Sequence, residues 1–264
     1  MPWALRTALL ALAVAGPACG PQRQSDPADE ARAGDRAAPG RLTARFDGEP
    51  PSGPGIGAGL HRLEVDGGRP ALLWVPAAAA RGAPAPLVVA FHGAGSSATT
   101  GMRLARKLAE ETGAIALASS SRGPTWDVIA RGGFGPDVAA VDRLLRRVGR
   151  GLRVDPDRIA VAGFSDGASY ALSLGLANGD LFRAILAFSP GFTAPGPRHG
   201  RPAVYVTHGT RDNVLPIDAT SRRIVPALRD AGYDVALREF DGGHEVPQDR
   251  VDDALAEALG GRGA

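Results

Sequence analysis

Residues 158–177, RIAVAGFSDGASYALSLGLA, decide the reading of this chain. A continuous apolar run, Ile159 to Ala162, suits a strand buried on both faces of a parallel sheet. A helical pattern follows from Ala168 to Ala177. Between them stands Gly163-Phe164-Ser165-Asp166-Gly167, the Gly-x-Ser-x-Gly pattern at a strand–turn–helix junction. A serine there must sit on a sharply reversed backbone, so its neighbours two residues away need to be almost free of side chain. The reversal presents Oγ at a helix N-terminus, where amide N–H groups and the helix dipole favour developing negative charge.

Working outward, the same alternation repeats. Candidate strands are Leu60–Val65, Ala71–Val75, Leu87–Phe91, Ala114–Ala118, Arg158–Ala162, Ala184–Phe188, Ala203–Thr207 and Val235–Phe240. The pattern in Asp137–Arg150 is helical: Val138, Val141, Leu144, Leu145 and Val148 share one face, while Arg143, Arg146, Arg147 and Arg150 form a solvated one. Strands alternating with helices imply an α/β fold with a mostly parallel central sheet and helices on both faces. The first two strands have no helix between them and are expected to form an antiparallel edge.

A serine hydroxyl needs a base, and the base needs an orienting acid. In this strand–helix arrangement the expected chain order is serine, acid, histidine, on loops after successive strands. Asp212 lies in His208-Gly209-Thr210-Arg211-Asp212-Asn213, after the strand beginning at Ala203, and His244 lies in Asp241-Gly242-Gly243-His244, after the strand beginning at Val235. The plainer reading of Asp212 is a turn-capping aspartate. Asp218 and Asp241 compete less well, the first because it opens the next helix and the second because it is too near His244. Of five histidines, His61 sits on an early strand, His199 in a Pro/Gly-rich loop, His92 just before a small-residue loop, and His208 at a strand end suited to a structural hydrogen bond. The loop His92-Gly93-Ala94-Gly95 can supply backbone donors to an oxyanion. Ala94 is the first choice and Gly93 the second, with the amide of Asp166 as partner donor.

HGAGSS, GFSDG, HGTRDNVLP and GGHEVP together resemble the α/β-hydrolase superfamily, and within it the bacterial phospholipase/carboxylesterase-type serine esterases. The resemblance implies the α/β-hydrolase fold, Ser165 as nucleophile, His244 as general base, Asp212 as its orienter, and Ala94, Gly93 and Asp166 around the oxyanion hole. It implies a carboxylesterase-like enzyme working through an acyl-enzyme, chemistry that needs no cofactor and no metal; the substrate expectation, short or accessible esters, comes instead from the lack of a lid-like insertion. One departure stands out: the thioesterase-like members usually carry glutamine where this chain has Asp166. The same three residues also serve a peptidase or amidase, and a non-catalytic envelope binding protein would be expected to have lost one of them.

Between Ala118 and Asp137, Trp126 and Phe134 are candidates for the wall of a substrate pocket, since ligands of such sheets bind at the C-terminal strand edge. Trp126 can equally be a cover for the core. No long insertion reads as a separate lid, which favours an open site.

The chain has 264 residues, 30 Lys+Arg against 28 Asp+Glu, and a single cysteine. One cysteine excludes an intrachain disulfide and any multi-thiolate zinc site. A charge so nearly balanced gives no basic stripe for nucleic acid. No phosphate loop or dinucleotide fingerprint occurs. Residues 1–18 read as a signal peptide: Arg6, then an apolar stretch too short to span a bilayer. Cys19 follows Ala18 where a lipoprotein signal places its acylated cysteine, although Gly16 and Pro17 fit that pattern poorly and an ordinary signal-peptidase site is the alternative. Residues 19–58, rich in Pro, Gly, Ala and charge, read as a flexible tether, and 59–260 as the hydrolase domain. The chain is therefore expected to be secreted or in the cell envelope, with membrane contact only through a lipid on Cys19.

Overall fold

Pleating sends successive strand residues to opposite faces of a sheet, and in IAVAG this sets Ile159 and Val161 apart from Ala160 and Ala162. The computed structural model, which describes residues 40–65 and 68–258, separates them in this way. Leu87, Val89, Phe91, Ile115, Leu117, Ile159, Val161 and Ile185 belong to one buried cluster. Ala90, Ala116, Ala118, Ala160, Ala162 and Ala184 belong to another, on the opposite face, together with Val88, Leu186 and Phe188.

The strands are β1 (Gly59–Leu63), β2 (Ala71–Val75), β3 (Ala85–Phe91), β4 (Ile115–Ser119), β5 (Val154–Phe164), β6 (Ala184–Phe188), β7 (Ala203–Gly209) and β8 (Val235–Phe240). The helices are α1 (Ala77–Ala80), α2 (Ala98–Thr112), α3 (Asp127–Ala130), α4 (Pro136–Gly151), α5 (Asp166–Ala177), α6 (Ser221–Asp230) and α7 (Gln248–Ala258). The eight strands form one sheet in the order β1-β2-β4-β3-β5-β6-β7-β8. β1 pairs antiparallel with β2, and β2 with β4; all other pairs are parallel. This is the α/β-hydrolase fold, with the antiparallel edge where the missing crossover required it. Helices α4, α5 and α6 bury their apolar faces against the aliphatic side. Helices α2 and α7 cover the alanine side. The polar stretch VDPDR lies within β5, with a register shift opposite Ala85–Leu87.

The tether reading needs correction over 40–58, which pack against the domain. Leu42 and Ala44 are buried in the aliphatic cluster. The amides of Thr43 and Ala44 donate to Asp142 Oδ1 on α4, at 2.7 and 2.8 Å. Arg41 makes a two-pronged pair with Asp180. Further along, Gly53 N–H donates to Arg150 O. Composition pointed to disorder because the segment has few apolar residues. Backbone amides captured by a carboxylate of the domain offset the ordering entropy instead. The signal peptide, Cys19 and residues 19–39 lie outside the described residues.

Candidate active site

Ser165 occupies the junction between β5 and α5 with φ 58° and ψ −122°, a conformation costly for any residue with a Cβ. Its flanking glycines are required by space. A Cβ on Gly163 would lie 2.1 Å from Gly167 O, and one on Gly167 would lie 2.2 Å from Phe91 O. Strand β5, helix α5 and strand β3 thus meet at a point where side chains cannot fit. The Ser165 amide is held by Phe188 O at 2.9 Å, and its carbonyl accepts from the amides of Ala168 and Ser169.

Two later loops converge on this serine. His244 Nδ1–H donates to Asp212 Oδ2 at 2.6 Å, which leaves Nε2 to accept from Ser165 Oγ–H at 2.9 Å. The loops are zipped together: the amides of Thr210 and Arg211 donate to Phe240 O and Gly242 O. Gly209 permits the approach, since a Cβ there would lie 2.3 Å from Gly243 O. Asp212 also does what its plainer reading asked, its Oδ1 accepting from the amides of Val214 (2.9 Å) and Leu215 (2.8 Å). One oxygen shapes the turn and the other orients the imidazole. Burial alone would raise the Asp212 pKa, but hydrogen bonds from Leu215, His244 and Val214 outweigh it and hold the carboxyl below its usual range.

His208 supports this loop from beneath. Its Nε2–H donates to Leu215 O at 2.8 Å and lies 3.2 Å from Asp212 Oδ2, while Nδ1 accepts from Ser221 Oγ–H at 2.7 Å. Burial depresses its pKa, which favours the neutral ring. This is the structural role that its strand-end position suggested.

The expected oxyanion loop runs from the end of β3. A Cβ on Gly93 would come 3.4 Å from Ser165 Cβ, so this residue stands directly against the serine. Asp166 opens α5, and its amide belongs to the unsatisfied first turn of that helix. Ala94 follows Gly93 and is exposed. Three residues brace this region in roles that sequence reading did not assign them. His92 is buried and neutral, its pKa pushed down by burial. Its Nδ1–H donates to Gly93 O (2.7 Å), and its Nε2 accepts from the Ser121 amide (3.0 Å). Trp126 Nε1–H donates to His92 O at 2.9 Å. The third is Thr125, whose hydroxyl donates to Asp166 Oδ2, tying the start of α5 to the loop after β4. The local signal for His92 was its place at the strand end; nothing local marks Thr125.

The pocket assignment of Trp126 and Phe134 is corrected. Trp126 is 0% exposed, stacks on Tyr170 at 4.5 Å and meets Phe91 edge-on at 4.8 Å. It fills core on the aliphatic face. Phe134 lies on the same side, its ring 6.4 Å from Tyr170 and pressed over Gly40. A cavity bordered by Gly93 and by Phe164, the residue before Ser165, lies on the opposite, alanine-rich face. Its volume is about 160 Å³, and Gly93, Gly101, Leu104, Phe164, Val246 and Val251 are among its lining residues. Phe164 also packs its ring against His244, 4.7 Å between centroids.

The chain has the α/β-hydrolase fold, and in it a strained serine, a histidine and a buried carboxylate form one hydrogen-bonded chain. The chain resembles the bacterial phospholipase/carboxylesterase-type esterases of that superfamily: residues 139–257 match the phospholipase/carboxylesterase family. A protein of Aspergillus oryzae named probable feruloyl esterase C is 32% identical over 106 residues, 40% of this chain. The match spans only 38% of that relative's length. The crystal structure of esterase PE8 superposes with a TM-score of 0.56 and 26% identity, over 71% of this chain and 97% of that one. An α/β-hydrolase from a Medee basin deep-sea metagenome library shares the fold with a TM-score of 0.58 at 18% identity, over 77% of this chain and 99% of its own.

Proposed function

We propose that this protein is a serine carboxylesterase that works through an acyl-enzyme. The observation that carries the reading is the unbroken sequence Ser165 Oγ–His244 Nε2 and His244 Nδ1–Asp212 Oδ2, at 2.9 and 2.6 Å. As Ser165 Oγ attacks an ester carbonyl, His244 Nε2 takes its proton, and the ionised Asp212 stabilises the imidazolium. The carbonyl oxygen becomes an oxyanion facing the amide of Asp166 and those of Gly93 and Ala94. His244 then returns the proton to the departing alcohol. A water, deprotonated by the same nitrogen, releases the acid and restores the serine.

The test is labelling by a fluorophosphonate together with hydrolysis of short p-nitrophenyl esters. Ser165→Ala is expected to abolish labelling and to reduce kcat by about 10⁴-fold or more. Undiminished turnover in that variant would refute the reading, and faster cleavage of a matched amide would place the enzyme among amidases. Export and anchoring complete the proposal: residues 1–18 would be removed, and a lipid on Cys19 would hold the enzyme at the cell envelope. Partitioning into a detergent phase should then vanish in Cys19→Ser; unchanged partitioning would reject the anchor.

A further inference from the structure

The cavity on the alanine face has an unusual wall. Most of it is apolar, built by Leu104 of α2, Phe164 at the end of β5, and Val246 and Val251 on the histidine side. Arg103 and Lys107 also line it. They are four residues apart on α2 and so share one helix face. Both are exposed, and neither takes part in an ion pair among the described residues. Their neighbour Arg106 is committed elsewhere, paired with Glu110 and lying over the Trp74 ring. Lys107 is also the chain's only lysine.

The cavity has a direction. Gly93 and Phe164 mark its reacting end beside Ser165, and Thr100 and Gly101, also in its wall, belong to the first turn of α2. From Thr100 to Lys107 the helix rises by about 10 Å, at 1.5 Å per residue. An acyl chain entering from the reacting carbonyl would run along apolar side chains and meet positive charge at its far end. A volume near 160 Å³ resembles the ~150 Å³ apolar cavity that admits a benzene-sized guest, which suits about six carbons.

We infer that this cavity is an acyl subsite for chains ending in a carboxylate, so that the preferred substrates are monoesters of short dicarboxylic acids. The inference rests on the esterase reading above and specifies its acyl group. Attack by Ser165 on the ester carbonyl would release the alcohol, and the dicarboxylate would leave after water cleaves the acyl-enzyme. The free carboxylate takes no part in bond making; Arg103 and Lys107 bind it.

The experiment compares monoethyl adipate with ethyl hexanoate, two six-carbon acyl esters differing in the terminal carboxylate, by following ethanol release at low salt. The expected ratio of kcat/KM is at least about tenfold in favour of monoethyl adipate. The ratio should fall toward one in Arg103→Met/Lys107→Met, and in the unmodified enzyme at about 0.5 M salt, where exposed charges are screened. A ratio at or below one, or a preference indifferent to salt and to the double variant, overturns the inference. Fluorophosphonate labelling separates the two levels. A labelled Ser165 with no preference for the diacid ester removes only this inference, whereas an unreactive Ser165 with neither ester cleaved removes the esterase reading with it.

Discussion

The two faces of the sheet meet at the same serine and are built in opposite ways. On the aliphatic face, Phe91, Trp126 and Tyr170 pack ring to ring beneath α3 and α5, and the segment from residue 40 closes over α4. On the other face β3 and β4 present Ala90, Ala116 and Ala118 to α2, which comes close enough that a Cβ on Gly101 would lie 3.4 Å from Ala90 O. The filled side therefore braces the loops around Ser165, and the sparse side leaves room beside them. Small side chains on a sheet allow a helix to approach, and where the strands end and loops begin that approach leaves a cavity.

The comparison breaks first at Trp126. Trp126→Ala should cost about 3–5 kcal/mol by thermal or denaturant unfolding, since the ring fills core and its N–H holds His92 O. The residual folded enzyme should retain the chain-length profile of the wild type. A changed profile with little loss of stability would return Trp126 to the pocket. Leu104→Trp probes the other face. Filling the cavity should lower kcat/KM for a hexanoate ester about tenfold relative to an acetate ester, with stability changed by less than about 1.5 kcal/mol. An unchanged ratio would show that acyl chains do not enter there.

A third test concerns the carboxylate pair under the loop after β4. Asp127 Oδ2 accepts from the amides of Gly135 and Asp137, and Asp137 Oδ2 accepts from the Asp127 amide. Burial, then the charge of Asp137, raises the Asp127 pKa to about 6. The folded state thus holds the proton more tightly than the unfolded chain, so stability should fall as pH rises from about 4 through 6. In Asp127→Asn this dependence should be absent, leaving the variant relatively more stable at pH 8 than at pH 4 by about 1–2 kcal/mol. A pH-independent difference in unfolding free energy would reject the shifted pKa. The smallest effect is at the strap. Arg41→Ala breaks a partly exposed pair with Asp180 and the bond from Arg41 to Ala177 O, and should cost about 1 kcal/mol in unfolding free energy.

Much of this was legible locally. The strands were readable because burial on both faces demands continuous apolar runs, and the serine turn because Gly163 and Gly167 have no substitute where three backbones touch. Asp212 and His244 were legible from their loops after successive strands, while the double duty of Asp212 was not, because each of its oxygens finds partners only when two loops are folded together. Trp126 was ambiguous for a related reason. An aromatic residue near the strand edge can face solvent or core, and the ring of Tyr170 on α5 decides it. Residues 40–58 were misjudged because their ordering depends on Asp142, far away in the chain.

By itself, the sequence determined the parallel sheet, the antiparallel edge, the strained serine turn and the order of serine, aspartate and histidine. These follow from short-range constraints: alternation, apolar runs and the absence of side chains at two glycines. Tertiary structure alone decided which face of the sheet keeps a cavity, which loop residues brace Gly93, and that Arg103 and Lys107 border the same space as Phe164. Those outcomes depend on residues distant in the chain filling, or failing to fill, the same volume, and no local pattern records that.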